Sequence, residues 1–506
     1  AAVDNADAIT VIAASHHFLT APKPSPNGRK IAWLGWNHPA MPWDGTQLCV
    51  AEYGGKSTVG NGDDAVENYR VVAGGPRESV CQFEWENDEN ILALTDPEGW
   101  WNLHRIQLNS DSADSVSTTN LAPCAEEIGG PLWRAGTSWF APLGANQPGR
   151  FIVLRSGNLA VLDEKSGTVT DVKTEFTSWF SVYSDNGVVA ALANNATSPT
   201  TVVTVEIDDT NKCTTVRALT TPHTLPAEYL PRPESRTFTD KDGNKIPAYV
   251  YPPKNPEFTG EDGELPPYLI HVHGGPTGRE FGDFDAGFAY FTSRGIGVVA
   301  VNYGGSVGYG RQFRERLLGQ WGVVDVDDCA AVASALADEG TADRRRLAIR
   351  GGSAGGWTSA ASLTSVDVYA CGTVLYPILD LRGWTADGGE THDFESRYIE
   401  GLVGELPTYA RRYHDRSPIN NVDKLAGPVL LLQGLDDQIC PPVQAERFIK
   451  ALAGKGIAHA YLAFDGEQHG FRKAETIRAA FEAELSFYGQ VFGFEPPGVP
   501  KLPLNT

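Results

Sequence analysis

From residue 267 onward, the sequence alternates short apolar runs with segments of helical periodicity. The apolar runs lie at 268–272, 297–302, 347–350, 372–375, 428–432 and 458–463. The helical segments lie at 326–337, from 355, at 443–453 and at 475–492. Strands that are apolar along their whole length are typical of a parallel sheet covered by helices on both faces. The pattern therefore predicts a doubly wound α/β domain, whose ligands bind at the carboxyl ends of its strands.

The first 230 residues have a different pattern. They contain short alternating or apolar runs separated by Gly, Asn, Asp, Ser and Pro, without sustained helical periodicity. A unit of turn, strand and hairpin recurs at roughly 45 to 55 residues, close to the repeat of a four-stranded propeller blade. A β-sandwich is the alternative. We therefore predict an all-β domain at 1–230 and an α/β domain at 231–506, with the Pro- and Gly-rich segment 231–260 as a junction.

Composition and charge exclude several classes of protein. A hydrophobic fraction of 41% with 21% charged residues is ordinary for a folded domain, and no apolar run approaches the length of a membrane span. The 63 acidic residues against 41 basic ones give a net charge of -22, which disfavours nucleic acid and anionic lipid as partners. The seven cysteines are widely spaced and include no C-x-x-C pair, so we expect a reducing, cytoplasmic location. The sequence has neither H-E-x-x-H nor a paired Cys-His spacing, so we expect no metal site and no cofactor.

The strand at 347–350 runs directly into a glycine-rich turn that holds one serine. Ser353 lies in the pattern G-x-S-x-G between Gly351 and Gly355, and a helix is predicted to follow. In this context small residues allow a turn sharp enough to expose a nucleophilic serine. A glycine-rich turn that cradles phosphate is the alternative. The sequence thus indicates Ser353 as a candidate nucleophile.

Two later loops supply the groups that would activate a serine. The loop after 428–432 contains Asp436 and Asp437, and the loop after 458–463 contains His469. Taken singly, each aspartate has the alternative of capping a turn or a helix, and His469 that of a packed loop histidine. The chain order Ser, Asp, His is that of α/β-hydrolases, and all three lie at the same predicted edge of the sheet. Backbone N–H donors for an oxyanion are expected from Ala354 and from the loop after 268–272, unless that loop is a simple tight turn.

These motifs resemble the catalytic domain of the prolyl oligopeptidase family of serine peptidases. The resemblance lies closest to the branch that includes acylaminoacyl-peptidases and related bacterial aminopeptidases. It rests on the segments 273–276, 302–306, 308–310 and 351–356, on Trp321-Gly322 with Asp325 and Asp328, and on the loops of Asp437 and His469. The family spacing favours Asp437 over Asp436 as the triad acid. It also implies a β-propeller, rather than a sandwich, that caps the active site.

The sequence departs from parts of the family. His273 stands where some members have a tyrosine that donates to the oxyanion, so the resemblance implies backbone donors at Gly275 and Ala354. The glutamate pair of dipeptidyl-peptidases is not recognisable. The segment 394–398 resembles a substrate-side insertion, in which Glu395 would bind a substrate amine and Arg397 a carbonyl or carboxylate. The alternative is an ion pair between these two side chains.

The resulting hypothesis is a serine peptidase that hydrolyses short peptides, as an oligopeptidase or an aminopeptidase. Two alternatives stay open: an esterase or amidase for small acyl compounds, and a non-catalytic binding module built on the propeller. The oligomeric state is open, and a homo-oligomer is compatible with the sequence. Because 230 residues make only four or five blades and propellers of this family usually have seven, we expect the chain to begin partway through a propeller or to be completed by another chain.

Overall fold

The computed structural model describes residues 15–52, 69–108, 116–207, 213–218 and 225–506, with the backbone alone at 213–218. The first part of this structure consists of four antiparallel sheets of four strands each. The first two sheets contain β1 (Phe18–Pro24), β2 (Lys30–Trp36), β3 (Gln47–Glu52), β4 (Tyr69–Ala73), β5 (Val80–Trp85), β6 (Asn90–Thr95), β7 (Asn102–Leu108) and β8 (Val116–Asn120). The other two contain β9 (Phe140–Pro142), β10 (Arg150–Arg155), β11 (Asn158–Asp163), β12 (Thr168–Asp171), β13 (Ser178–Asp185), β14 (Val188–Asn195), β15 (Ser198–Ile207) and β16 (Cys213–Ala218).

Each of these sheets is a meander whose strands pair in sequence order, which is the organisation of a propeller blade. Apolar faces of neighbouring blades pack on each other: Leu34 of the first blade shares a core with Ile91 of the second. Likewise, Ile152 of the third blade shares a core with Val189 of the fourth. The predicted propeller-like arrangement is therefore confirmed, with four blades among the described residues.

The second part of the structure is built on one sheet of eight strands, in the order β17-β18-β20-β19-β21-β22-β23-β24. Its strands are β17 (Glu234–Thr239), β18 (Lys245–Tyr251), β19 (Tyr268–Val272), β20 (Gly297–Val301), β21 (Leu347–Gly352), β22 (Cys371–Leu375), β23 (Val429–Gly434) and β24 (His459–Phe464). The strands β19 to β24 are parallel. The segment expected to be a junction contains the hairpin β17–β18, which adds antiparallel strands to one edge of this sheet.

Helices cover both faces of the large sheet. They are α1 (Ala286–Thr292), α2 (Arg311–Arg314), α3 (Val324–Asp338), α4 (Ala354–Leu363), α5 (Tyr398–Val403), α6 (Ala410–Arg416), α7 (Pro442–Leu452) and α8 (Ala474–Phe492). Short 3-10 turns lie at Ala227–Tyr229, Glu315–Leu317, Arg344–Arg346, Asp393–Glu395 and Pro418–Lys424. Val299 and Val301 of β20 pack in the core that contains α3, α4 and α7, whereas Val298 and Ala300 pack in the core that contains α1 and α8. All residues of β20 are buried, as the sequence predicted for a sheet covered on both sides.

A buried cluster of charges joins the propeller-like part to the α/β part, which is built on the eight-stranded sheet. The carboxylate of Asp96, which follows β6, accepts hydrogen bonds from Arg311 and Arg314 of α2 at 2.8 to 3.0 Å. All three side chains are largely buried. The two parts therefore meet through a fixed ionic contact. Within the described residues, no helix combines the length and the apolar character needed to cross a bilayer.

Candidate active site

The turn between β21 and α4 holds Ser353 in a strained backbone conformation. Its φ and ψ are 57° and -122°, a region that residues with a side chain rarely occupy. Flanking glycines make the turn possible, because a Cβ atom on Gly355 would lie 2.1 Å from the carbonyl oxygen of Val272. On Gly351, it would lie 2.6 Å from the same oxygen. The G-x-S-x-G pattern is thus explained by the close packing of this turn against β19.

Asp437 and His469 are joined by a direct hydrogen bond. His469 Nδ1 lies 2.8 Å from Asp437 Oδ2. The other carboxylate oxygen accepts from the backbone N–H groups of Ile439 and Cys440 at 2.8 and 2.9 Å, which fixes the aspartate. When Nδ1–H donates to a carboxylate, neutral imidazole keeps Nε2 free to accept a proton. Asp436, the alternative in the sequence, is exposed.

Two residues that the sequence did not indicate, Tyr376 and Cys440, contact this pair. Cys440 lies three residues after Asp437 and is buried, and burial raises the pKa of its thiol. The Tyr376 ring lies 5.0 Å from the His469 ring and packs so closely on Gly352 that a Cβ there would lie 2.5 Å from the tyrosine ring. Both residues follow strands at the same edge of the sheet, which is the signal that would have indicated them.

The loop after β19 packs directly on the nucleophile turn. A Cβ atom on Gly274 would lie 3.4 Å from Ser353 Cβ, and the next residue, Gly275, has a positive φ of 123° that favours glycine. The other predicted donor, Ala354, is buried as the first residue of α4, where backbone N–H groups have no partner within the helix. The backbone of the loop and the start of α4 therefore lie beside the serine.

His273 supports this loop from within the protein. Its Nε2 lies 2.7 Å from Ser306 Oγ, and its ring stacks on Tyr303 with the ring centroids 4.4 Å apart. The hydroxyl of Tyr303 donates to the carbonyl oxygen of His273 at 3.1 Å. Burial lowers the pKa of His273, so the ring is neutral near pH 7 and adds no positive charge beside the serine. The segment 302–306, noted in the sequence as a motif, thus holds the loop in place.

Glu395 and Arg397, the two predicted substrate-binding residues, have different environments in the structure. Glu395 is buried, with its carboxylate hydrogen-bonded to His392 Nε2. The turn that carries Glu395 reaches the loop after β19 through Trp133. The Trp133 ring lies 6.2 Å from that of Phe394, and its indole N–H donates to the carbonyl oxygen of Thr277.

Arg397 makes a bidentate ion pair with Glu400 at 2.7 Å for both contacts and is more than one third exposed. The ion pair anticipated as the alternative therefore forms with Glu400, while Glu395 keeps a histidine partner.

Comparisons with known proteins agree with this architecture. A sequence profile of the prolyl oligopeptidase family matches residues 282–495. Dipeptidyl aminopeptidase BIII of Pseudoxanthomonas mexicana is 27% identical over 265 residues, which cover 51% of this chain and 38% of that protein. The acylamino-acid-releasing enzyme of Arabidopsis thaliana is 29% identical over 234 residues, which cover 44% of this chain and 30% of that protein. The alignments thus span less than two fifths of the length of these curated relatives.

Two solved structures match nearly the whole chain. A puromycin hydrolase is 50% identical with a TM-score of 0.89, and the match covers 97% of this chain and 72% of that one. A puromycin-hydrolyzing peptidase of Mycobacterium tuberculosis is 44% identical with a TM-score of 0.91, covering 99% of this chain and 74% of that one. Together with the sheet order and the nucleophile turn, these matches show that the chain belongs to the prolyl oligopeptidase family.

Proposed function

We propose that this protein is a serine peptidase that hydrolyses short peptides and aminoacyl amides through a covalent acyl-enzyme. The observation that carries the proposal is the hydrogen-bonded pair of Asp437 and His469 at the same sheet edge as the strained turn of Ser353. A serine hydroxyl is a weak nucleophile until an imidazole takes its proton, and a carboxylate holds that imidazole in the correct tautomer.

In the proposed mechanism, His469 removes the proton of Ser353 as the oxygen attacks the substrate carbonyl. The N–H groups of Gly275 and Ala354 donate to the oxyanion of the tetrahedral intermediate. His469 then gives its proton to the leaving amine, and water hydrolyses the acyl-enzyme by the same steps with a water molecule as the nucleophile. Asp437 stays ionised throughout and stabilises the imidazolium.

The substrates proposed for this site carry a free amino group next to the cleaved bond. The buried carboxylate of Glu395 supports this, because it is hydrogen-bonded to a histidine and the residue before it, Phe394, packs near Trp133, which binds the loop after β19. A cationic substrate amine would pair with that carboxylate. The similarity to two proteins described as hydrolysing puromycin points the same way, since puromycin joins an amino acid with a free amine to a nucleoside through an amide.

Contacts of the propeller-like part with the α/β part support selection of substrates by size. Trp133, which precedes the third blade, donates its indole N–H to the carbonyl oxygen of Thr277 at 2.7 Å, two residues from Gly275. Its ring also lies 6.2 Å from the ring of Tyr398. The segment between the second and third blades thus contacts the loop after β19, and we propose that the propeller-like part excludes large substrates. A cytoplasmic location and a homo-oligomeric state stay predictions.

The test compares aminoacyl anilides, puromycin and short acyl esters as substrates of the wild type and of Ser353→Ala. Loss of turnover on the first two substrates in the variant, with labelling of the wild type alone by a fluorophosphonate, supports the proposal. Esters turned over much faster than any amide would favour the esterase alternative. No labelling of the wild type at Ser353 would favour a non-catalytic module.

A second comparison isolates the amine subsite. Glu395→Gln is expected to raise the KM of substrates with a free amine while leaving N-acetylated substrates unchanged, because only the former carry the cation. Glu400→Gln is the matched control, since it removes a nearby carboxylate that already pairs with Arg397. Equal effects of both substitutions on both kinds of substrate would contradict the assignment of Glu395.

A further inference from the structure

Three side chains with metal-ligating atoms meet where the first blade contacts the α/β part. His17 directly precedes β1, and His38 follows β2 by one residue. Asp393 is the first residue of the 3-10 turn that also contains Glu395. The aspartate lies more than 350 residues away from both histidines along the chain, so only the fold brings the three together.

The distances within this cluster approach those of a metal site. His17 Nε2 lies 2.9 Å from Asp393 Oδ2, and His38 Nε2 lies 3.4 Å from Asp393 Oδ1. The three donor atoms all lie within 4.8 Å of one another. Neighbouring ligands of a tetrahedral zinc ion are about 3.3 Å apart when the bonds are about 2.0 to 2.1 Å long. Small side-chain rotations would therefore bring all three donors onto one ion.

The types of donor and their surroundings also suit a borderline divalent cation. Two imidazole nitrogens with one carboxylate are a common ligand set for zinc, and water completes the coordination. The side chains of His17 and Asp393 are 48% and 69% exposed, so an ion and its water have access from solvent. His38 is mostly buried, and its ring packs on Phe18 with the ring centroids 5.0 Å apart.

An aromatic cluster holds both sides of this site together. Phe18 of β1 and Trp36 of β2 both pack edge-on against Phe394, at ring distances of 5.7 and 6.2 Å. Phe394 follows Asp393 directly, so these contacts fix the aspartate relative to the two histidines. The ligands are therefore positioned before an ion binds, which lowers the entropic cost of binding.

We propose that His17, His38 and Asp393 bind a zinc ion that ties the first blade to the turn carrying Glu395. The ion has a structural role, because none of the three residues belongs to the proposed triad. Since its ligands come from both parts of the chain, binding favours the state in which the blade and the turn are in contact. The proposal concerns metal binding alone and does not depend on the peptidase activity.

The test measures metal binding by the full chain after removal of metal with a chelator. Equilibrium dialysis against Zn²⁺ is expected to give one bound ion per chain, and Co²⁺ is expected to give the visible absorption of a tetrahedral site. The variant His17→Ala/His38→Ala is expected to lose both signals. Zn²⁺ is also expected to raise the Tm of the wild type but not that of this variant.

Two further variants separate loss of ligands from loss of fold. Asp393→Asn keeps a side chain that hydrogen-bonds the histidines but removes the charge, so it is expected to lose the bound ion while keeping its circular dichroism spectrum. His414→Ala is the matched control, because His414 is an exposed histidine beside Asp415 and outside the site. Failure of the wild type to bind zinc, or binding that survives in the double histidine variant, would overturn the proposal.

Discussion

At the scale of single residues, the candidate site depends on side chains that several hydrogen bonds hold in one orientation. Asp437 accepts two backbone N–H bonds through one oxygen and binds His469 through the other, so it has little freedom to reorient. The neighbouring Asp436 is exposed. Adjacent residues of the same type therefore have different environments, and substitutions at the two positions should differ in their effects.

Asp437→Asn is expected to lower kcat by about 10⁴-fold with little change in fold. The amide keeps the shape of the carboxylate, but it stabilises the wrong tautomer of His469 and cannot compensate the imidazolium charge. Asp436→Asn is the control and should keep nearly full activity. Steady-state kinetics with an aminoacyl anilide measure both variants. Similar losses in the two would show that the assignment of Asp437 is wrong.

At the scale of elements, the turn from β21 to α4 forms only because its glycines let its backbone pack directly against the backbone of β19. The start of α4 lies against the end of β19, with no room for a side chain at Gly355. The sequence indicated this turn through its glycines, but not which neighbouring strand excludes the side chain. The close contact with Val272 explains why glycine is needed here.

Gly355→Ala is expected to destabilise the protein by at least about 2 kcal/mol, because the added methyl group meets a backbone oxygen that cannot move freely. Gly260→Ala is the control, since a Cβ at that exposed position meets nothing within 4 Å. Its free energy of unfolding should stay within about 0.5 kcal/mol of the wild type. Urea denaturation measures both, and equal stability of the two variants would contradict the explanation.

At the scale of the whole molecule, buried ion pairs of Asp96 with Arg311 and Arg314 join the propeller-like part to the α/β part. Arg314 also stacks over Trp101, with its guanidinium 4.2 Å from the ring centroid. A second acid, Glu127, lies 3.9 Å from Arg314 and is buried. Both arginines therefore share the carboxylate of Asp96, and Arg314 also lies beside a second buried acid of the propeller-like part. The expectation that further blades or another chain complete this part stays a prediction.

Asp96→Ala is expected to destabilise the protein by about 3 to 5 kcal/mol, because it leaves Arg311 and Arg314 buried without their shared carboxylate. Asp415→Ala removes the carboxylate of an exposed ion pair with Arg411 and serves as the control. That change should cost less than about 1 kcal/mol. Thermal unfolding compares the two, and a similar small effect in both would contradict the role of the buried contact.

Glu127 is expected to make stability depend on pH. Burial raises the pKa of Glu127 from its ordinary value of 4.5 to about 7. The folded state therefore binds this proton more tightly than the unfolded state does, and it loses stability as the pH rises from about 5 to about 7. The loss amounts to about 3 kcal/mol at most.

The measurement compares the free energy of unfolding of the wild type and Glu127→Gln between pH 5 and pH 8. Because glutamine does not ionise, the variant should gain stability relative to the wild type as the pH rises. Two stability curves that run parallel across this range would show that Glu127 does not titrate there.

Much of the fold followed from local pattern. The apolar runs at 268–272 and 372–375 correspond to β19 and β22 within one residue, because strands buried on both faces must be apolar at every position. The nucleophile turn and the order of Ser353, Asp437 and His469 are likewise local or sequential signals. The sequence analysis did not predict that Arg397 pairs with Glu400, although Glu400 lies only three residues further along the chain.

The fold class, the change of pattern along the chain and the candidate triad could be predicted from the sequence, since the residues that indicate each lie near one another or follow the order of the strands. The meeting of side chains distant in sequence follows from the fold alone: Tyr376 beside His469, Asp96 between two arginines, and Asp393 between two histidines of the first blade. The physical reason is that hydrophobic patterning determines which face of an element is buried. The pairing of polar groups across separate elements depends on how those elements pack, and local sequence carries no record of that packing.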